Sequence, residues 1–345
     1  RSTCLLSLLV LAVLLSALWL IFGMVNMMII VIVLALIWAF CELAAFCIVA
    51  LCKPSLREEK RKKRHFPVAL AAVLLTCIYF LTGWYHAHHI AETDYTIYSD
   101  KVTSALKIAL IADAHMGTTF DADGFSDCLQ RIEDKHPDVL LIAGDLVDDA
   151  TSLSEMEEGA KVLGEVNVPY GVFFAYGNHD KGYSGQTRGY GASKLEAALK
   201  EQGVTILEDQ VFPLRSDCIL IGRADASTGL SDGGYEEGGR AEIASLIKNA
   251  GEKYTIILDH QPNDYDAEAA AGADLVLSGH THGGQLIPIN RIGELIGAND
   301  RTYGHEKREN TDFIVTSGIS AWEIPFKTGC RSEYVIIDLL PAAER

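Results

Sequence analysis

The hydrophobic positions of this chain follow two different patterns, one before and one after about residue 90. The first part contains three long and almost uncharged apolar runs, at residues 4–22, 27–52 and 66–85. Each run reaches the roughly 20 residues that a helix needs to cross the hydrocarbon core of a bilayer. The pattern predicts a membrane anchor of three transmembrane helices within residues 1–86, with a short break at 23–26 between the first two.

Basic residues between the second and third apolar runs predict the orientation of this anchor. Lys53, Arg57 and the consecutive basic residues 60–64 lie there, and such clusters stay on the cytoplasmic side. Three crossings then place everything after residue 86 outside the cytoplasm, in a multi-pass protein of the cell membrane. A cleaved signal peptide is the alternative interpretation of the first run. Further apolar runs follow it, however, and no clear small-residue cleavage site is present.

Beyond residue 105, short apolar runs alternate with stretches of helical character. Several of the short runs are continuously apolar, as expected for strands that are buried on both faces. We predict strands at 106–112, 138–143, 170–176, 218–223, 254–259, 274–278, 312–317 and 333–339, and helices at 122–135, 153–165, 191–202, 240–250 and 264–271. The alternation predicts an α/β domain over residues 106–345, partly antiparallel in its second half, after a linker at 87–105.

Composition narrows the classes of partner. The chain has 345 residues and a formal net charge of -17 at pH 7, with most of the acidic excess after residue 90. A domain this acidic repels a phosphate backbone, so we expect no nucleic-acid partner. The absence of a CxxC pair argues against a zinc–cysteine site. The chain begins with Arg1 rather than Met, which leaves open where the natural protein starts.

Polar residues of metal-binding types directly follow five of the predicted strands. They are Asp113 and His115, then Asp145, then Asn178 with His179 and Asp180, then His260, and finally His280 with His282. In open α/β sheets, ligands bind beyond the carboxyl ends of the strands. We therefore expect these scattered residues to meet at one rim of the sheet.

The residue types predict the kind of metal. Imidazole, carboxylate and one amide oxygen, without thiolate, suit divalent Mn, Fe or Zn. Two ions about 3.5–4 Å apart need a shared carboxylate, and Asp145 is the natural bridge because Gly144 permits a tight turn before it. If the backbone is extended at 113–115 and 280–282, alternate residues point the same way. Each motif alone is more often an ordinary turn or core residue, but the five together predict a two-metal centre.

In this order, the D-x-H, GDxxD, GNHD, lone His and GHTH motifs resemble the calcineurin-like metallophosphoesterase superfamily. The GHTHGGQ form is similar to its membrane-linked bacterial phosphodiesterase branch. The resemblance covers residues 106 to about 340 and implies a four-layer α/β/β/α sandwich, here preceded by the transmembrane helical region. It implies that the first metal takes Asp113, His115, Asp145 and His282, and that the second takes Asp145, Asn178, His260 and His280.

The same resemblance implies a catalytic role for His179, which acts near the leaving group without binding metal. GNHD stands here where GNHE is commoner in the family, and Asp180 either orients His179 or only caps the following loop. The implied reaction is hydrolysis of a phosphoester by a hydroxide that bridges the two cations. We expect a phosphodiesterase or pyrophosphatase; the alternatives are a phosphomonoesterase and a non-catalytic metal-binding membrane module.

The sequence predicts the type of reaction more narrowly than the identity of the substrate. A phosphorylated small molecule or a lipid is expected, because bound metal supplies positive charge to an otherwise acidic domain. Arg188 and Arg223, on or near loops, are candidates to contact a phosphate, against the alternative that they are solvated surface arginines. The apolar stretch at 322–326 either holds a lipid tail, meets the membrane or packs in the core.

Overall fold

The computed structural model describes residues 2–51, 65–182, 188–226, 230–231, 234–235, 240–248 and 250–345. The chain divides into two compact units, Arg1–Gly83 and Trp84–Arg345. The predicted basic cluster at residues 53–64 lies outside the described residues.

The first unit is built from apolar helix. α1 spans Ser2–Ala50 and leaves helical geometry at Gly23, where φ is 79° and ψ is 171°. α2 spans His65–His88 and continues into the second unit. The predicted break at 23–26 is therefore narrower than expected, because the residues after Gly23 are already helical. Gly23–Ala50 and Pro67–His88 are each long and apolar enough to cross a membrane. The apolar run at 4–22 is also helical within α1, but its crossing of a membrane stays a prediction.

The second unit contains both strands and helices. Its described strands are β1 (Ala91–Ser99), β2 (Leu106–Ile111), β3 (Val139–Ala143), β4 (Val172–Ala175), β5 (Thr205–Leu207), β6 (Gln210–Arg215), β7 (Cys218–Gly222), β8 (Leu230–Ser231), β9 (Gly234–Tyr235), β10 (Tyr254–Leu258), β11 (Leu275–Ser278), β12 (Gly304–Arg308), β13 (Thr311–Val315) and β14 (Glu333–Pro341). Its helices are α3 (Ala122–Glu133), α4 (Leu153–Gly164), α5 (Ala192–Glu201), α6 (Ile243–Ile247), α7 (Tyr265–Ala271) and α8 (Ile292–Leu295), with 3₁₀ turns at His282–Gly284 and Ala342–Glu344.

Two six-stranded sheets form the centre of this unit. Their strand orders are β1-β14-β2-β3-β4-β5 and β12-β13-β11-β10-β7-β6, beside a small β8-β9 pair. Strands β2 to β5 are mutually parallel, and so are β7, β10, β11 and β13. Antiparallel pairs occur at β14-β2, β12-β13 and β6-β7. The expected antiparallel character of the second half therefore appears at both edges of the second sheet, in the β8-β9 pair, and where β14 lies beside β2 in the first sheet.

The layers follow from which faces are buried. Apolar side chains of both sheets, including Leu110, Leu141, Leu220 and Leu277, form one cluster between them. The other face of the first sheet packs against α3, α4 and α5, and the other face of the second sheet packs against α6 and α7. This arrangement is the predicted α/β/β/α sandwich, which is confirmed.

Every predicted strand and helix is present in the structure. Several strands at the edges of the sheets, however, were not predicted. β1 lies inside the predicted linker 87–105, yet it pairs in parallel with β14 along its whole length. Its sequence, AETDYTIYS, has alternating exposure and no continuous apolar run. A half-exposed edge strand gives a weak hydrophobic signal, and the interpretation of 87–105 as a linker is corrected for that reason.

Replacing a side chain between the two sheets should destabilise the protein strongly. Leu220 in β7 is fully buried there, so Leu220→Ala should lower the free energy of unfolding by about 2–5 kcal/mol, through lost burial and the cavity left behind. Val211 in β6 is 45 % exposed, and Val211→Ala should change it by no more than about 0.5 kcal/mol. Denaturant unfolding of the detergent-solubilised chain measures both, and equal losses would contradict the assigned packing.

Candidate metal centre

The predicted ligands leave the carboxyl ends of five strands, and the two sheets bring these ends to one rim. β2, β3 and β4 are parallel neighbours in the first sheet, and β10 and β11 are parallel neighbours in the second. Asp113 N donates to Gly144 O at 3.0 Å, which joins two loops of the first sheet. His260 Nδ1, from the second sheet, lies 2.7 Å from Ala143 O of the first. Residues that are far apart in sequence are thus adjacent in space.

Asp113, His115 and His282 form the first group of candidate ligands. Their donor atoms all lie within 4.8 Å of one another, and all three side chains are buried. His115 Nε2 is 3.2 Å from His282 Nε2, which is 3.7 Å from Asp113 Oδ1. Because metal–imidazole bonds are about 2.0–2.1 Å long, two nitrogens on one ion lie roughly 3.0–3.4 Å apart. The separation of the two imidazole nitrogens fits a shared ion.

Asp145, His260 and His280 form the second group, also within 4.8 Å. Asn178 joins it, because its Oδ1 lies 3.1 Å from His260 Nε2 and 2.8 Å from His280 Nδ1. His280 therefore presents Nδ1 to the centre, whereas His260 presents Nε2. The sequence does not predict which ring nitrogen each histidine uses.

Asp145 lies between the two groups. Its Oδ2 is 3.7 Å from His115 Nε2 in the first group and 3.1 Å from His260 Nε2 in the second. Burial alone raises the pKa of Asp145, but the neighbouring His260 and His115 outweigh it, so the pKa lies below its ordinary value. One ionised oxygen therefore faces both groups of ligands.

The donor chemistry fits divalent cations. Neither group contains a thiolate, and imidazole, carboxylate and amide donors suit metals of the Mn, Fe and Zn type. Burial raises the pKa of the Asp113 carboxyl to about 6 and lowers the pKa of the His280 ring to about 4. Both directions reflect the cost of charge in a dry cavity. Cations held by carboxylates and neutral imidazoles would offset that cost, so the residues fit two divalent ions without identifying them.

Outer contacts orient the ligand rings. His115 Nδ1 lies 3.4 Å from Asp148 Oδ2, and His282 Nδ1 lies 3.3 Å from Ser320 O. Such partners fix the orientation of a ring and strengthen it as a ligand. Neither Asp148 nor Ser320 was among the predicted site residues. The second Asp of the GDxxD motif was the available signal for Asp148, whereas no local pattern marks Ser320.

The backbone is left-handed at most of these ligands. φ is 54° at Asp113, 38° at His115, 54° at Asp145, 70° at His280 and 49° at His282. Residues with a Cβ seldom adopt this region, at a cost of about 1–3 kcal/mol each. The condition of an extended backbone at D-x-H and H-x-H is therefore not met, although both side chains of each pair do face the centre. Left-handed turns, rather than alternation along a strand, direct each pair of side chains into the centre.

Two glycines allow the loops to approach this closely. Gly144 has φ 80°, and a Cβ there would lie 2.5 Å from Gly177 N and 2.7 Å from His260 Nδ1. A Cβ on Gly177 would lie 2.2 Å from Asp145 Oδ1. Any larger residue at either position would displace a ligand. The glycines of GDxxD and GNHD are thus explained by close packing at the centre.

The Asp180 carboxylate holds the loop that carries Asp145. Its Oδ2 accepts from Gly177 N at 2.7 Å and from Asp145 N at 2.8 Å, and its Oδ1 accepts from Leu146 N at 2.9 Å. Burial and the nearby Asp145 raise the pKa of Asp180 to about 7, against the effect of the backbone donors. Through these bonds Asp180 joins the loop after β3 to the loop after β4 and positions the backbone of Asp145.

His179 lies at the edge of the centre. Its ring centroid is 5.3 Å from that of His115 and 5.5 Å from that of Trp322, and its backbone N donates to Asp145 Oδ1 at 2.8 Å. Burial lowers the pKa of His179, while Asp145 acts in the opposite direction. The ring is thus beside the candidate ligands without belonging to either group.

The apolar stretch at 322–326 divides between the surface and the core. Trp322 is 43 % exposed, whereas Ile324 and Phe326 are buried. Gln285, which ends the GHTHGGQ motif, donates from Nε2 to Trp322 O at 3.0 Å. An exposed indole is therefore held next to His179 by a neighbouring loop.

Arg188 and Arg223 are both buried, so the alternative that they are solvated surface residues is wrong. Arg188 Nη1 donates to His179 O at 3.1 Å, and Nη2 donates to Asp180 O. Arg223 Nη1 pairs with Asp264 at 2.6 Å. Both guanidinium groups are engaged by protein acceptors, and their contact with a phosphate stays a prediction.

A buried lysine near the centre had no signal in the sequence. Lys327 Nζ donates to Ser317 O and Gly318 O, and burial lowers its pKa. Gly318 packs so tightly that a Cβ there would lie 2.6 Å from Asp113 Cβ. Lys327 thus holds the turn at Ser317 and Gly318, and this turn packs against the Asp113 side chain.

The chain is similar to several known proteins. The family model for calcineurin-like phosphoesterases matches residues 106–284. An uncharacterised metallophosphoesterase of Helicobacter pylori is 30 % identical over 83 % of this chain and 74 % of its own length. A Danio rerio protein named as a transmembrane protein with metallophosphoesterase domain is 28 % identical over 83 % of this chain and 65 % of its own. A crystal structure of a dimetal phosphatase from Danio rerio aligns with 63 % of this chain and 88 % of that one, at 14 % identity and a TM-score of 0.42.

The family match starts at β2 and ends in the 3₁₀ turn that carries His282, and it covers more than half of the chain. All the candidate ligands of both groups lie within it. The chain therefore belongs to the calcineurin-like phosphoesterase family and is a metal-dependent phosphoester hydrolase.

Proposed function

We propose that the protein is a membrane-anchored phosphodiesterase or pyrophosphatase that uses two divalent ions. The position of Asp145 Oδ2 carries the proposal, because this oxygen is 3.7 Å from His115 Nε2 and 3.1 Å from His260 Nε2. A carboxylate oxygen between two ligand groups suits a bridge between two cations. Pairs of cations are a common device for phosphoester hydrolysis.

Each side chain of the centre then has a separate task. Asp113, His115, Asp145 and His282 would hold the first ion, and Asp145, Asn178, His260 and His280 would hold the second. Ions bound there polarise the phosphoryl group and lower the pKa of water, so that no protein nucleophile is required. His179 holds a proton for the leaving oxygen, a role that suits its half-buried place beside His115. Asp180 and Arg188 act through the backbone that they bind, as positioning residues.

Exposed apolar residues of the catalytic domain, of which Trp322 lies beside His179, support an amphipathic substrate. Trp322 lies beside His179, and the segment after Gln285 exposes Ile289, Leu295 and Ile296 to the extent of 56 %, 84 % and 72 %. Exposed apolar patches on a folded domain mark binding or membrane-contact surfaces. On this basis we favour a phosphodiester or diphosphate carried on a lipid over a free nucleotide as the substrate.

We place the protein in the cell membrane with three crossings; Gly23–Ala50 and Pro67–His88 support two of them by their length and apolar composition. The basic cluster at 53–64 favours a cytoplasmic loop, which places the catalytic domain outside the cytoplasm. The GHTHGGQ sequence at 279–285 is consistent with the membrane-linked branch of the family. A phosphomonoesterase and a non-catalytic metal-binding module are the competing functions.

The proposed reaction is tested with paired substrates. In the presence of Mn, Zn or Mg, the purified full chain should hydrolyse a nitrophenyl phosphodiester or a lipid diphosphate with a higher kcat/KM than the matched monoester. Release of nitrophenol and of inorganic phosphate measures the two reactions. A preference for the monoester would instead assign a phosphomonoesterase, and tight metal binding without turnover would assign a non-catalytic module.

Asp145→Asn should remove metal and activity together. The neutral amide keeps the shape but not the charge that faces both groups, so kcat/KM should fall by more than about 100-fold, beyond the loss typical of an outer-shell partner. Metal content by elemental analysis should fall below two ions per chain. Asp266→Asn is the matched control, because the Asp266 side chain is 95 % exposed. Full metal content in Asp145→Asn would contradict the bridge.

His179→Gln should separate chemistry from metal binding. The side chain is outside both ligand groups, so the variant should keep two ions per chain while kcat falls by about 10²–10⁴-fold, as for loss of a general acid. Elemental analysis and steady-state kinetics on the same preparation check both values. Loss of metal in this variant would show that His179 is a ligand instead.

The proposed orientation is tested with two epitope tags. A tag after Arg345 should be cleaved by external protease in intact cells from which the outer envelope has been removed. A tag inserted between Lys53 and Lys60 should be cleaved only after the membrane is permeabilised. The reverse pattern would place the catalytic domain in the cytoplasm.

A further inference from the structure

A cavity of about 520 Å³ lies in the second unit, and no candidate metal ligand lines it. Its walls come from the end of α2, from α3 and from the segment before β14, and they include Tyr85, His88, His89, Phe120, Arg131 and Arg331. The volume is within the range of about 300–1,000 Å³ that suits small ligands. The proposed reaction at the metal centre gives this cavity no role.

The charge of the lining favours an anion. Arg131 and Arg331 both line the cavity, and neither forms an ion pair within the described part of the chain. The Arg131 guanidinium carbon lies 5.4 Å from the centroid of the Tyr334 ring, which holds the side chain in place. Asp127 is the one carboxylate among the lining residues. Two guanidinium groups in a chain of net charge -17 form a local positive site, and guanidinium binds phosphate with two parallel bonds.

Two histidines add polar contacts on the same wall. His88 Nδ1 lies 2.8 Å from Trp84 O, and His89 Nδ1 lies 3.1 Å from Tyr85 O. A ring nitrogen that faces a carbonyl oxygen at this distance donates to it, so both rings are held by the last turn of α2. The Tyr85 ring stacks on His89 with centroids 3.9 Å apart. The wall thus combines an aromatic surface with two imidazole rings held in place by backbone carbonyls.

The position of the cavity along the chain identifies the source of the anion. Tyr85 and His88 are in the last turn of α2, and Pro67–His88 is long and apolar enough to cross a membrane. Residues at the end of such a helix lie at the level of the lipid headgroups, where Trp and Tyr are enriched. At that level, the phosphate of a lipid headgroup is the anion that is close at hand.

The cavity also adjoins the support of the metal centre. Thr119 lines it, and Thr119 Oγ1 accepts from Ser320 Oγ at 2.7 Å and from Ala321 N at 3.1 Å. Ser320 O in turn faces His282 Nδ1 at 3.3 Å. A ligand in the cavity therefore contacts a residue two hydrogen bonds away from a candidate metal ligand.

We propose that this cavity binds the phosphate-bearing headgroup of an anionic membrane lipid, with Arg131 and Arg331 as the charged contacts. The proposal rests on the membrane association of the chain and does not depend on which bond the metal centre cleaves. It adds a lipid site, distinct from the catalytic centre, at the end of α2.

Binding of short-chain lipids to the purified, metal-loaded full chain tests the proposal. Dihexanoyl phosphatidylglycerol should bind more tightly than dihexanoyl phosphatidylcholine and than inorganic phosphate, measured by titration calorimetry. The double substitution Arg131→Gln with Arg331→Gln should weaken phosphatidylglycerol binding by about tenfold or more, because it removes two charge-assisted contacts. Binding at the metal centre is common to both proteins and cancels in this comparison.

Arg291→Gln is the matched control, because its side chain is 69 % exposed and pairs with Glu294 away from the cavity. It should leave the affinity for phosphatidylglycerol unchanged. Turnover of a water-soluble diester and an unchanged unfolding midpoint show that the double variant is folded, and they separate this proposal from the proposed reaction. Unchanged lipid affinity in the double variant would overturn the proposal. So would equal, arginine-dependent binding of inorganic phosphate, which would assign a site for free anions, or equal binding of phosphatidylcholine.

Discussion

The fully buried carboxylate of Asp145 is the feature on which the catalytic domain depends. It faces imidazoles from both sheets at 3.1 and 3.7 Å, and an ionised group in such a place is tolerated only with partners on every side. The backbone amides around it are bound by Asp180, and its second oxygen accepts from His179 N. Strain, close glycine packing and buried charge all meet at this residue. Packing in the rest of the domain offsets the free-energy cost of the strain and of the buried charge.

The layer of aliphatic side chains between the two sheets holds the two halves of the metal centre in a fixed relative position. β2 to β4 present one half of the centre and β10 with β11 present the other, so a small shift between the sheets would separate the two ligand groups. Five ligands with left-handed backbone add further strain. Such conformations persist only where the surrounding structure determines them. Stability and function are therefore coupled through the same interface.

The proposed link between the reaction and lipid rests on the surroundings of the centre. The exposed Trp322 lies on one side, beside His179, and the arginine-lined cavity adjoins Thr119 on another. Both features are apolar or cationic in a domain that is otherwise strongly acidic. They are consistent with a hydrolase that meets amphipathic molecules rather than soluble polyanions. Ser320 connects the two regions, since it bonds to Thr119 and also faces the ring of His282.

The sequence by itself determined the elements that have a strong local signal. Continuous apolar runs predicted the buried strands, and the polar residues that end those runs predicted one shared rim, because parallel strands end at one edge of a sheet. The division of these residues into two ligand groups was implied by the family resemblance. Reasoning from local patterns missed β1, whose half-exposed residues form no apolar run, and it misjudged the backbone at Asp113 and His280. Only the tertiary structure decided which ring nitrogen each histidine presents, that Arg223 is buried in an ion pair, and that Lys327 supports Asp113. These features arise from contacts between residues far apart in the chain, and such contacts leave no periodic trace in the sequence.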